Sequence, residues 1–501
     1  MKLKLLFAEN YLAMTSKNVV LRDPSNFLEF LYTNYPQHKQ WITPEVFKQY
    51  QPWPKDYIYT EGEDMASNIT GCFIKSNLQT QVDIIEGRCT VKKLACALKK
   101  NKYTHVAFSV FSSDFSEFIR CTEYIRHHYP KIKIIAGNIG ALFEGTDKYV
   151  DYVCRERGVP YLRNLFDEDQ GKPFKSAYSP YEYDVCYKDN KIRRYNLLVV
   201  TKIGCPHRCD FCSTNKYFKG KHSKELVSPN EVHDAILEHR RKLGNKNFNI
   251  HMAEPTAIIN KNWWYELFEL FEQEKGDYPV IAATTTNSLR NLDFERLSNS
   301  AMRFEMVYIG VEDFNRTYNK NDSIDIQELI DMLIGYGIGV YTSYIIGFPH
   351  QTLDEIWDGV KQFADLHPTW WEVHNLKVYP GSPFWNKIKR DDRYVDIPLD
   401  FRCMHGFQQF KDENFRIGFA DLWPLMYEIQ RYIEAANGPI VTNLCKVYKN
   451  LIKTHDINNK LFRRTLQWYK AISKEIFPVW KLYFEPNTYQ KENYLEKSQI
   501  A

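Results

Sequence analysis

The chain has 501 residues, of which 15% are aromatic and 26% are charged. This length and this aromatic content suffice for two or three domains with a large buried core, and they exclude an intrinsically disordered chain. Its 66 basic and 62 acidic residues nearly balance at a formal charge of +4, which gives no indication of a nucleic-acid or anionic-membrane partner.

The number of cysteines and the N-terminal sequence indicate the cellular compartment of the protein. The eleven cysteines are too sparse over this length for a secreted disulfide framework. The N-terminal run MKLKLLFAEN is short and is broken by Glu9 and Asn10, so it lacks the apolar region of a signal peptide. No apolar run reaches the roughly 18 residues that span a bilayer. The sequence therefore predicts a cytoplasmic protein without a membrane span.

The first part of the chain, residues 1–170, predicts a doubly wound α/β domain. Apolar segments such as QVDII, HVAFSVF and KIKIIAG alternate with the helical segments TVKKLACALKKN and SEFIRCTEYIRHHYP. Such alternation predicts a parallel sheet, which binds ligands at the carboxyl ends of its strands. A helix is expected at residues 26–35, and residues 36–80 are otherwise irregular. A linker rich in Lys, Asp, Tyr and Pro is predicted at 171–194.

Residues 195–390 predict a parallel partial barrel. Six strand candidates, from NLLVVTK to WEVHNLKVY, are separated by helical segments such as VSPNEVHDAILEHRRKL and TLDEIWDGVKQFADL. Functional residues of such a barrel are expected just after its strands. Residues 391–501 predict a helical C-terminal region. Its basic and aromatic helix is expected to cover the barrel, and a lipid-facing surface is the alternative.

The segment CPHRCDFC, directly after NLLVVTK, carries three cysteines: Cys205, Cys209 and Cys212. Zinc sites use four protein ligands, or three and a water, and no second C-x-x-C is present to complete one. A disulfide would leave one thiol unpaired. Three thiolates on one tight loop suit three irons of a cubane cluster whose fourth iron stays open to another ligand. Gly204 and Pro206 shape the turn.

CPHRCDFC resembles the C-x3-C-x2-C motif of radical S-adenosylmethionine (SAM) enzymes, including the aromatic residue before the last cysteine. In that superfamily the motif follows the first strand of a (β/α)6 partial barrel, and the open iron of a 4Fe-4S cluster binds SAM. The resemblance implies that the three cysteines ligate the cluster, that Phe211 shields it, and that an external donor such as flavodoxin or ferredoxin reduces it. It also implies reductive cleavage of SAM to a 5′-deoxyadenosyl radical.

Three further SAM contacts are implied by the same resemblance. Glu254, in HMAEP, ends the second barrel strand, where the superfamily holds the SAM amino group. Glu312, in YIGVED, ends the fourth strand in a segment similar to the G-x-E of the superfamily. Thr286, in TTTN, ends the third strand and is a candidate for a ribose contact. A salt bridge is the alternative for each carboxylate, and strand packing is the alternative for Thr286.

Residues 105–166 resemble the cobalamin-binding domain that precedes the barrel in one subclass of this superfamily. A glycine-rich turn there lies close to the tail of the corrin, and glycine allows the backbone to approach it. The turn is Gly137-Asn138 in this sequence, so these two residues are the implied cobalamin contacts. No D-x-H-x-x-G segment is present, and no histidine ligand to cobalt is expected. A domain that has lost the cofactor is the alternative.

These resemblances lead to one leading reaction and two alternatives. The leading one is cobalamin-dependent methylation of an unactivated carbon in a small-molecule or peptide substrate. The second is a cobalamin-free epimerisation, cyclisation or rearrangement, with Cys403 as a candidate hydrogen donor. The third is a non-catalytic iron–sulfur sensor or scaffold. Only Cys403 and Cys445 follow Cys212, too few for another four-cysteine cluster, so one cluster is expected.

Overall fold

The computed structural model describes residues 3–10, 59–61, 68–111, 115–187, 190–244, 246–297, 300–314, 325–349, 351–394, 410, 422–454 and 459–484. The helix expected at 26–35 and the proposed hydrogen donor Cys403 lie outside these residues.

Strands and helices alternate through most of the described chain. The strands are β1 (Lys4–Asn10), β2 (Tyr59–Glu61), β3 (Gln81–Arg88), β4 (His105–Val110), β5 (Lys133–Gly137), β6 (Tyr152–Val153), β7 (Ala177–Tyr187), β8 (Asn190–Val200), β9 (Asn249–Met252), β10 (Tyr278–Thr284), β11 (Met302–Glu312), β12 (Gly339–Ile346) and β13 (Trp370–Asn375). The α-helices are α1 (Ile69–Asn77), α2 (Val91–Lys100), α3 (Phe115–His128), α4 (Gly158–Leu165), α5 (Ser213–Phe218), α6 (Pro229–Lys242), α7 (Lys261–Leu270), α8 (Thr286–Arg290), α9 (Phe294–Leu297), α10 (Ile326–Gly335), α11 (Leu353–Asp365), α12 (Pro383–Arg390), α13 (Leu422–Asn437), α14 (Ile440–Thr454) and α15 (Asn459–Phe484).

The first sheet, sheet A, is parallel and has the strand order β3-β1-β4-β5-β6. One face packs against α2 and α3 through residues such as Leu94 and Phe118. The other face packs against α1 and α4 through residues such as Ile74 and Leu162. The strand order reverses between β1 and β4, and such a switch point opens a ligand crevice at the carboxyl ends of the strands. The predicted doubly wound sheet is confirmed.

The second sheet, sheet B, has the order β13-β12-β11-β10-β9-β8-β7-β2. Strands β8 to β13 are mutually parallel, as the six β-α units predict. Strand β7 pairs antiparallel with β8 along its whole length, so the sheet does not close and the barrel is partial. The segment predicted as a linker, 171–194, therefore contributes β7 and the start of β8 to this sheet. Helices cover the outer face, where Trp264 and Phe268 lie in the core.

A short, tightly bonded connection joins the two sheets. Asn77 and Arg163 are both buried beside it. The Asn77 side chain donates to Lys175 O at 3.0 Å and accepts from Lys175 N at 2.8 Å. Arg163 donates to Asn77 O at 3.1 Å and to Lys172 O at 2.6 Å. Three of these four bonds hold residues 172–175 against α1 and α4, and the fourth joins α4 to α1; we call the four bonds the connection clamp.

The C-terminal helices α13 to α15 pack against the barrel, and a buried charge network joins them to it. Arg303 donates to both carboxylate oxygens of Asp277, at 2.7 and 3.1 Å, and also pairs with Glu305. The hydroxyl of Tyr448, on α14, donates to Glu305 Oε1 at 3.0 Å. The predicted helical C-terminal region is confirmed. Among the helices that the structure describes, none combines the length and apolar character needed to cross a membrane.

Candidate functional site

The cysteine loop begins where β8 ends, and its first residues are fixed by a short bridge. Gly204 pairs with His222 across the loop, and Cys205 N donates to Lys221 O at 3.2 Å. Gly204 has φ of +92°, in the region that favours glycine. A Cβ added to Gly204 would collide with the Lys221 carbonyl oxygen and lie 2.9 Å from His222 Cα. The sequence at Gly204 therefore allows the turn that presents the first thiol.

The end of the loop is folded back onto a helix. Cys212 N donates to Cys209 O at 3.2 Å, and Cys212 is the N-cap residue of α5. The Asn215 side chain, one turn into α5, donates to the carbonyls of Arg208 and Cys209 at 3.2 and 3.3 Å. The three thiols are consequently carried on one compact loop at the carboxyl end of the barrel, and each is half-buried.

We expect Gly204→Ala to disrupt this loop far more than an equally strained glycine elsewhere. The added methyl group collides with the backbone that carries Lys221, in addition to the roughly 1–3 kcal/mol cost of a side chain at this φ. Gly244→Ala is the matched control, because Gly244 also has positive φ but has nothing within 4 Å of an added Cβ. Iron per chain after anaerobic reconstitution is the measurement. Equal iron retention by the two variants would contradict the assignment of Gly204 as a loop-forming residue.

The surroundings of the thiols differ from those of a single-ion site. Within the described residues, no three His, Cys, Asp or Glu side chains converge as the ligands of one metal ion do. A cubane cluster makes a different demand, because each of its irons takes its own thiolate. Cys205 Sγ lies 3.3 Å from the hydroxyl of Thr256, and a hydroxyl that donates to a thiolate stabilises its charge.

Phe211 lies where the resemblance implies a shield. Its ring packs edge-to-face against Phe348, with the centroids 5.9 Å apart, and Phe348 is fully buried in the loop after β12. The neighbouring carbonyl of Asp210 accepts from Phe384 N at 3.1 Å, which ties the cysteine loop to α12. The loop is thus closed on the side of β12 by apolar rings.

Glu254 follows β9 and is buried beside the end of β8. Its Oε1 accepts from the Thr201 hydroxyl at 2.8 Å, from Lys202 N at 3.0 Å and also from Thr201 N. Its Oε2 is buried without a hydrogen-bond partner in the described part of the chain. One carboxylate oxygen therefore anchors the strand that leads into the cysteine loop, and the other is available to a ligand.

Lys202 is a buried residue of this site that sequence reasoning missed. Burial lowers the pKa of its ammonium group, while Glu254 and Glu225 act to raise it. Its Nζ donates to Ala257 O, which fastens the β8 end to the loop after β9. A lysine directly before a cysteine motif, in an otherwise apolar strand ending, was the available signal.

Thr286 and Glu312 occupy the next two strand ends. Thr286 is buried at the start of α8, after β10, and the Thr285 hydroxyl caps that helix. Glu312 is buried at the end of β11, where the register with β12 shifts. Its φ is +65°, a conformation that costs a non-glycine residue free energy and is concentrated at functional sites. Because β8 to β11 are adjacent, the cysteine loop, Glu254, Thr286 and Glu312 share one edge of the sheet.

The carboxyl edge of sheet A carries the other predicted contacts. Asn138 has φ +67° and ψ −167°, a region that glycine occupies almost alone, which agrees with its place in a glycine-rich turn. Its side chain donates to Ser109 Oγ at 3.1 Å and accepts from Ile139 N at 2.8 Å. Gly137, Ser109 and the buried Cys154 therefore line neighbouring strand ends of this sheet.

The two edges face each other. Lys389, on α12 of the barrel, pairs with Glu144 of the first domain at 3.6 Å. Tyr217, on the helix that follows the cysteine loop, lies close enough to Cys154 for the two groups to interact electrostatically, and burial together with that thiol raises the pKa of Tyr217. The Tyr217 hydroxyl is buried and has no hydrogen-bond partner among the residues described. A buried hydroxyl without a hydrogen-bond partner is unfavourable, and a ligand bound between the two sheet edges would supply that partner.

Comparisons with known proteins agree with this geometry. Residues 199–363 match the family model of the radical SAM superfamily. An uncharacterized methyltransferase of Pyrococcus horikoshii is 25% identical over 196 residues, which are 38% of this chain and 41% of that protein. The matched region thus spans about two fifths of that relative's length.

Two structures of the radical SAM methyltransferase TsrM from Kitasatospora setae have a similar fold at 12% identity. The structure with cobalamin and a [4Fe-4S] cluster bound has a TM-score of 0.50 and covers 84% of this chain and 81% of its own. The structure with tryptophan substrate and a SAM analogue bound has a TM-score of 0.52, with 94% and 99% covered. This likeness extends over both sheets. Residues 199–363, which include the cysteine loop, thus match the radical SAM superfamily.

Proposed function

We propose that this protein is a cobalamin-dependent radical SAM methyltransferase that methylates an unactivated carbon of a small-molecule or peptide substrate. The observation that carries the proposal is the meeting of the two edges, with the unpartnered Tyr217 hydroxyl between the cysteine loop and the carboxyl ends of sheet A. The similar fold of TsrM, whose structures contain cobalamin and a SAM analogue, supports it.

The sheet A edge fits a large flat cofactor. A Cβ added to Gly137 would meet only Cys154 Cβ at 3.8 Å and Phe108 O at 3.9 Å, so the protein's own packing does not require glycine there. Gly140 differs, because its added Cβ would lie 2.8 Å from Val110 Cβ. This open space at Gly137 is the cradle that would receive the ligand. Cobalamin bound there would supply a methyl carrier within reach of the barrel.

The barrel edge fits the cluster and SAM. A 4Fe-4S cluster on Cys205, Cys209 and Cys212 would supply the electron that cleaves SAM. Phe211 would exclude water from this loop, and the free Oε2 of Glu254 would accept from the SAM amino group. Glu312 and Thr286, on the adjacent strand ends, would hold the rest of SAM. An external one-electron donor such as flavodoxin or ferredoxin would restore the reduced state.

The proposal gives each of the predicted domains its own role. Residues 1–170 would hold cobalamin, residues 195–390 would hold the cluster and SAM, and residues 391–501 would stabilise the barrel. The segment 171–194 would join the two cofactor sites and set their separation, since it combines the connection clamp with strand β7.

Cofactor retention tests the proposal. After anaerobic reconstitution with iron, sulfide and hydroxocobalamin, and gel filtration, we expect about four irons and about one cobalt per chain. Gly137→Val should keep the iron and lose at least about tenfold in cobalt, because the new side chain fills the cradle. Gly335→Ala, in α10 and also without nearby atoms, is the control. Iron without cobalt in the wild-type protein would overturn the methyltransferase and favour epimerisation, cyclisation or rearrangement, with Cys403 as the hydrogen donor to test.

A further inference from the structure

The inward side of strands β8 to β10 is partly exposed, whereas their outward side is buried. Outward residues such as Leu197, Ile250 and Val280 belong to the core beneath the helices. Because side chains alternate along a strand, the residues between them point into the partial barrel. Their partial exposure shows that packing leaves space there unfilled, and we call this space the inner pocket. The residues that border it, each partly exposed, are Leu198, Val200, His251, Ile281 and Ala283.

Aliphatic side chains form the walls of the inner pocket. Leu198, His251 and Ile281 lie side by side, since they are paired across β8, β9 and β10. Ala283 lies one level closer to the carboxyl ends of the strands. From Asn196 onward, no inward residue of β8, β9 or β10 is Asp, Glu, Lys or Arg. An unpaired charge is unfavourable in such surroundings, so the inner pocket suits an uncharged apolar group.

A neutral hydrogen-bonding pair lies at the end of the inner pocket that is farther from the cysteine loop. The Tyr181 hydroxyl, on β7, is 2.7 Å from His251 Nδ1 and 3.4 Å from Nε2, so it can serve one ring nitrogen at a time. Burial lowers the pKa of His251 to about 4 and raises the pKa of Tyr181, so both side chains are uncharged at neutral pH. In the part of the chain that the structure describes, no other group bonds to the imidazole ring, and its second nitrogen is left for a ligand.

The C-terminal helices close the barrel below this pair. Arg194 also points inward on β8, two residues before Asn196, and it donates to the Tyr469 hydroxyl of α15 at 3.4 Å. The opposite end of the inner pocket lies at the carboxyl ends of the strands, because Val200 ends β8 and the cysteine loop follows it. A ligand would therefore enter the inner pocket from the side of the cysteine loop.

We propose that the inner pocket binds the substrate, and that the substrate is an uncharged aliphatic chain that carries a hydroxyl group. The chain would lie against Leu198, Ile281 and Ala283. Its hydroxyl group would bond to the second ring nitrogen of His251, and a hydroxyl can do so with either tautomer because it both donates and accepts. The chain would then present unactivated C–H bonds to the proposed reaction site. This inference rests on the proposed function for the reaction, but binding can be measured without turnover.

Equilibrium dialysis in sealed cells, with the free probe quantified by chromatography, tests the substrate class on the reconstituted protein. The probes are 1-octanol, octanoate, which has the same chain length with a charge, and L-tryptophan, which has an aromatic ring and two charges. We expect 1-octanol to bind at least about tenfold more tightly than the other two, because the inner pocket offers a charge no partner. Octanoate or L-tryptophan binding as tightly as 1-octanol would overturn the proposal.

Two variants assign the binding to the inner pocket, with 1-chlorooctane as a probe that has the same chain but no hydroxyl group. His251→Phe should weaken 1-octanol by about three- to tenfold and should leave 1-chlorooctane no weaker, since only a hydrogen bond is lost. Ala283→Phe should weaken both probes by at least about tenfold, because the new ring fills the space. Ala471→Phe, the same substitution at an exposed position of α15, is the control and should change neither affinity.

Iron per chain and circular dichroism at their wild-type values would show that each variant is folded. Equal weakening of 1-octanol and 1-chlorooctane by His251→Phe would refute the hydrogen bond, since damage to the fold affects both probes alike. Wild-type affinity for 1-octanol in Ala283→Phe would refute the inner pocket as the binding site.

The two proposals fail separately. A protein that prefers 1-octanol but retains no cobalt refutes the methyltransferase and leaves the substrate class standing. A protein that retains cobalt but does not prefer 1-octanol to octanoate and L-tryptophan refutes the substrate class and leaves the methyltransferase standing.

Discussion

We expect Cys209→Ala to remove the proposed cluster from the reconstituted protein and to abolish SAM cleavage. With one of its three thiolates missing, the loop offers a cubane only two ligands. Iron should fall to less than about a tenth of the wild-type content, and 5′-deoxyadenosine formation should fall at least about a hundredfold. Iron analysis and chromatographic quantification of 5′-deoxyadenosine under dithionite measure the two effects.

Cys96→Ala is the matched control, since Cys96 is exposed on α2, a helix that packs against sheet A and not against the barrel. It should retain the wild-type iron content and the wild-type rate of SAM cleavage. Iron retention by Cys209→Ala together with undiminished 5′-deoxyadenosine would contradict the assignment of the loop. Loss of iron in both variants would mean that the loss is not specific to the cysteine loop, and the assignment would lose its support.

Arg303→Met should destabilise the barrel by about 3–5 kcal/mol, because it leaves Asp277 and Glu305 buried without their cation. Methionine fills much of the arginine volume, so the lost charge rather than a cavity dominates. The network also connects the barrel with Tyr448 of the C-terminal helix α14. The contact between α14 and the barrel should therefore weaken when the network is lost. The urea midpoint of the barrel transition, followed by circular dichroism, is the measurement.

Arg193→Met provides the comparison for this second variant. Arg193 also pairs with two carboxylates, Glu182 and Asp184, but its side chain is half exposed on the β7–β8 hairpin. Exposed ion pairs contribute little because water competes for both charges. Its urea midpoint should therefore stay at the wild-type value. Equal midpoint shifts in the two arginine variants would show that burial is not what makes the Arg303 network important.

The elements that could be predicted from the sequence have strong local signals. The parallel strands β8 to β13 are largely apolar segments that recur between amphipathic helices, and the cysteine motif follows the first of them. The segment of β7 reads as part of a linker in the sequence because it is rich in Lys, Asp, Tyr and Pro, including Pro180. Within the described residues, β2 pairs with β7 only at residues 184–186, so no described strand requires a backbone N–H of Pro180 at the outer edge of β7. Helix α1, within the segment expected to be irregular, has a weak apolar period and acquires its order from packing on sheet A.

The sequence predicts which site residues lie at strand ends, but it does not predict the contacts that those residues make in the folded protein. Glu254, Thr286 and Glu312 could be placed at strand ends, because the strand order follows from the repeated β-α units. The role of Glu254 Oε1 as an anchor for the end of β8 could not be predicted, because it depends on how the ends of β8 and β9 lie beside each other. Tyr217 opposite Cys154 depends on the placement of one sheet against the other.

The connection clamp has a consequence for the route by which a corrin would reach the proposed site on sheet A. Three hydrogen bonds join the buried Asn77 and Arg163 to residues 172–175 at one side. Among the residues that the structure describes, the exposed pair of Glu144 with Lys389 and the neighbouring groups of Tyr217 and Cys154 span the other side. A bulky corrin cannot enter by separating the sheets at the clamped side without breaking buried bonds. Separating the sheets at the side of Glu144 and Lys389 would cost less free energy than separating them at the clamped side. We therefore expect the corrin to enter through an opening on that side, while the connection clamp stays intact.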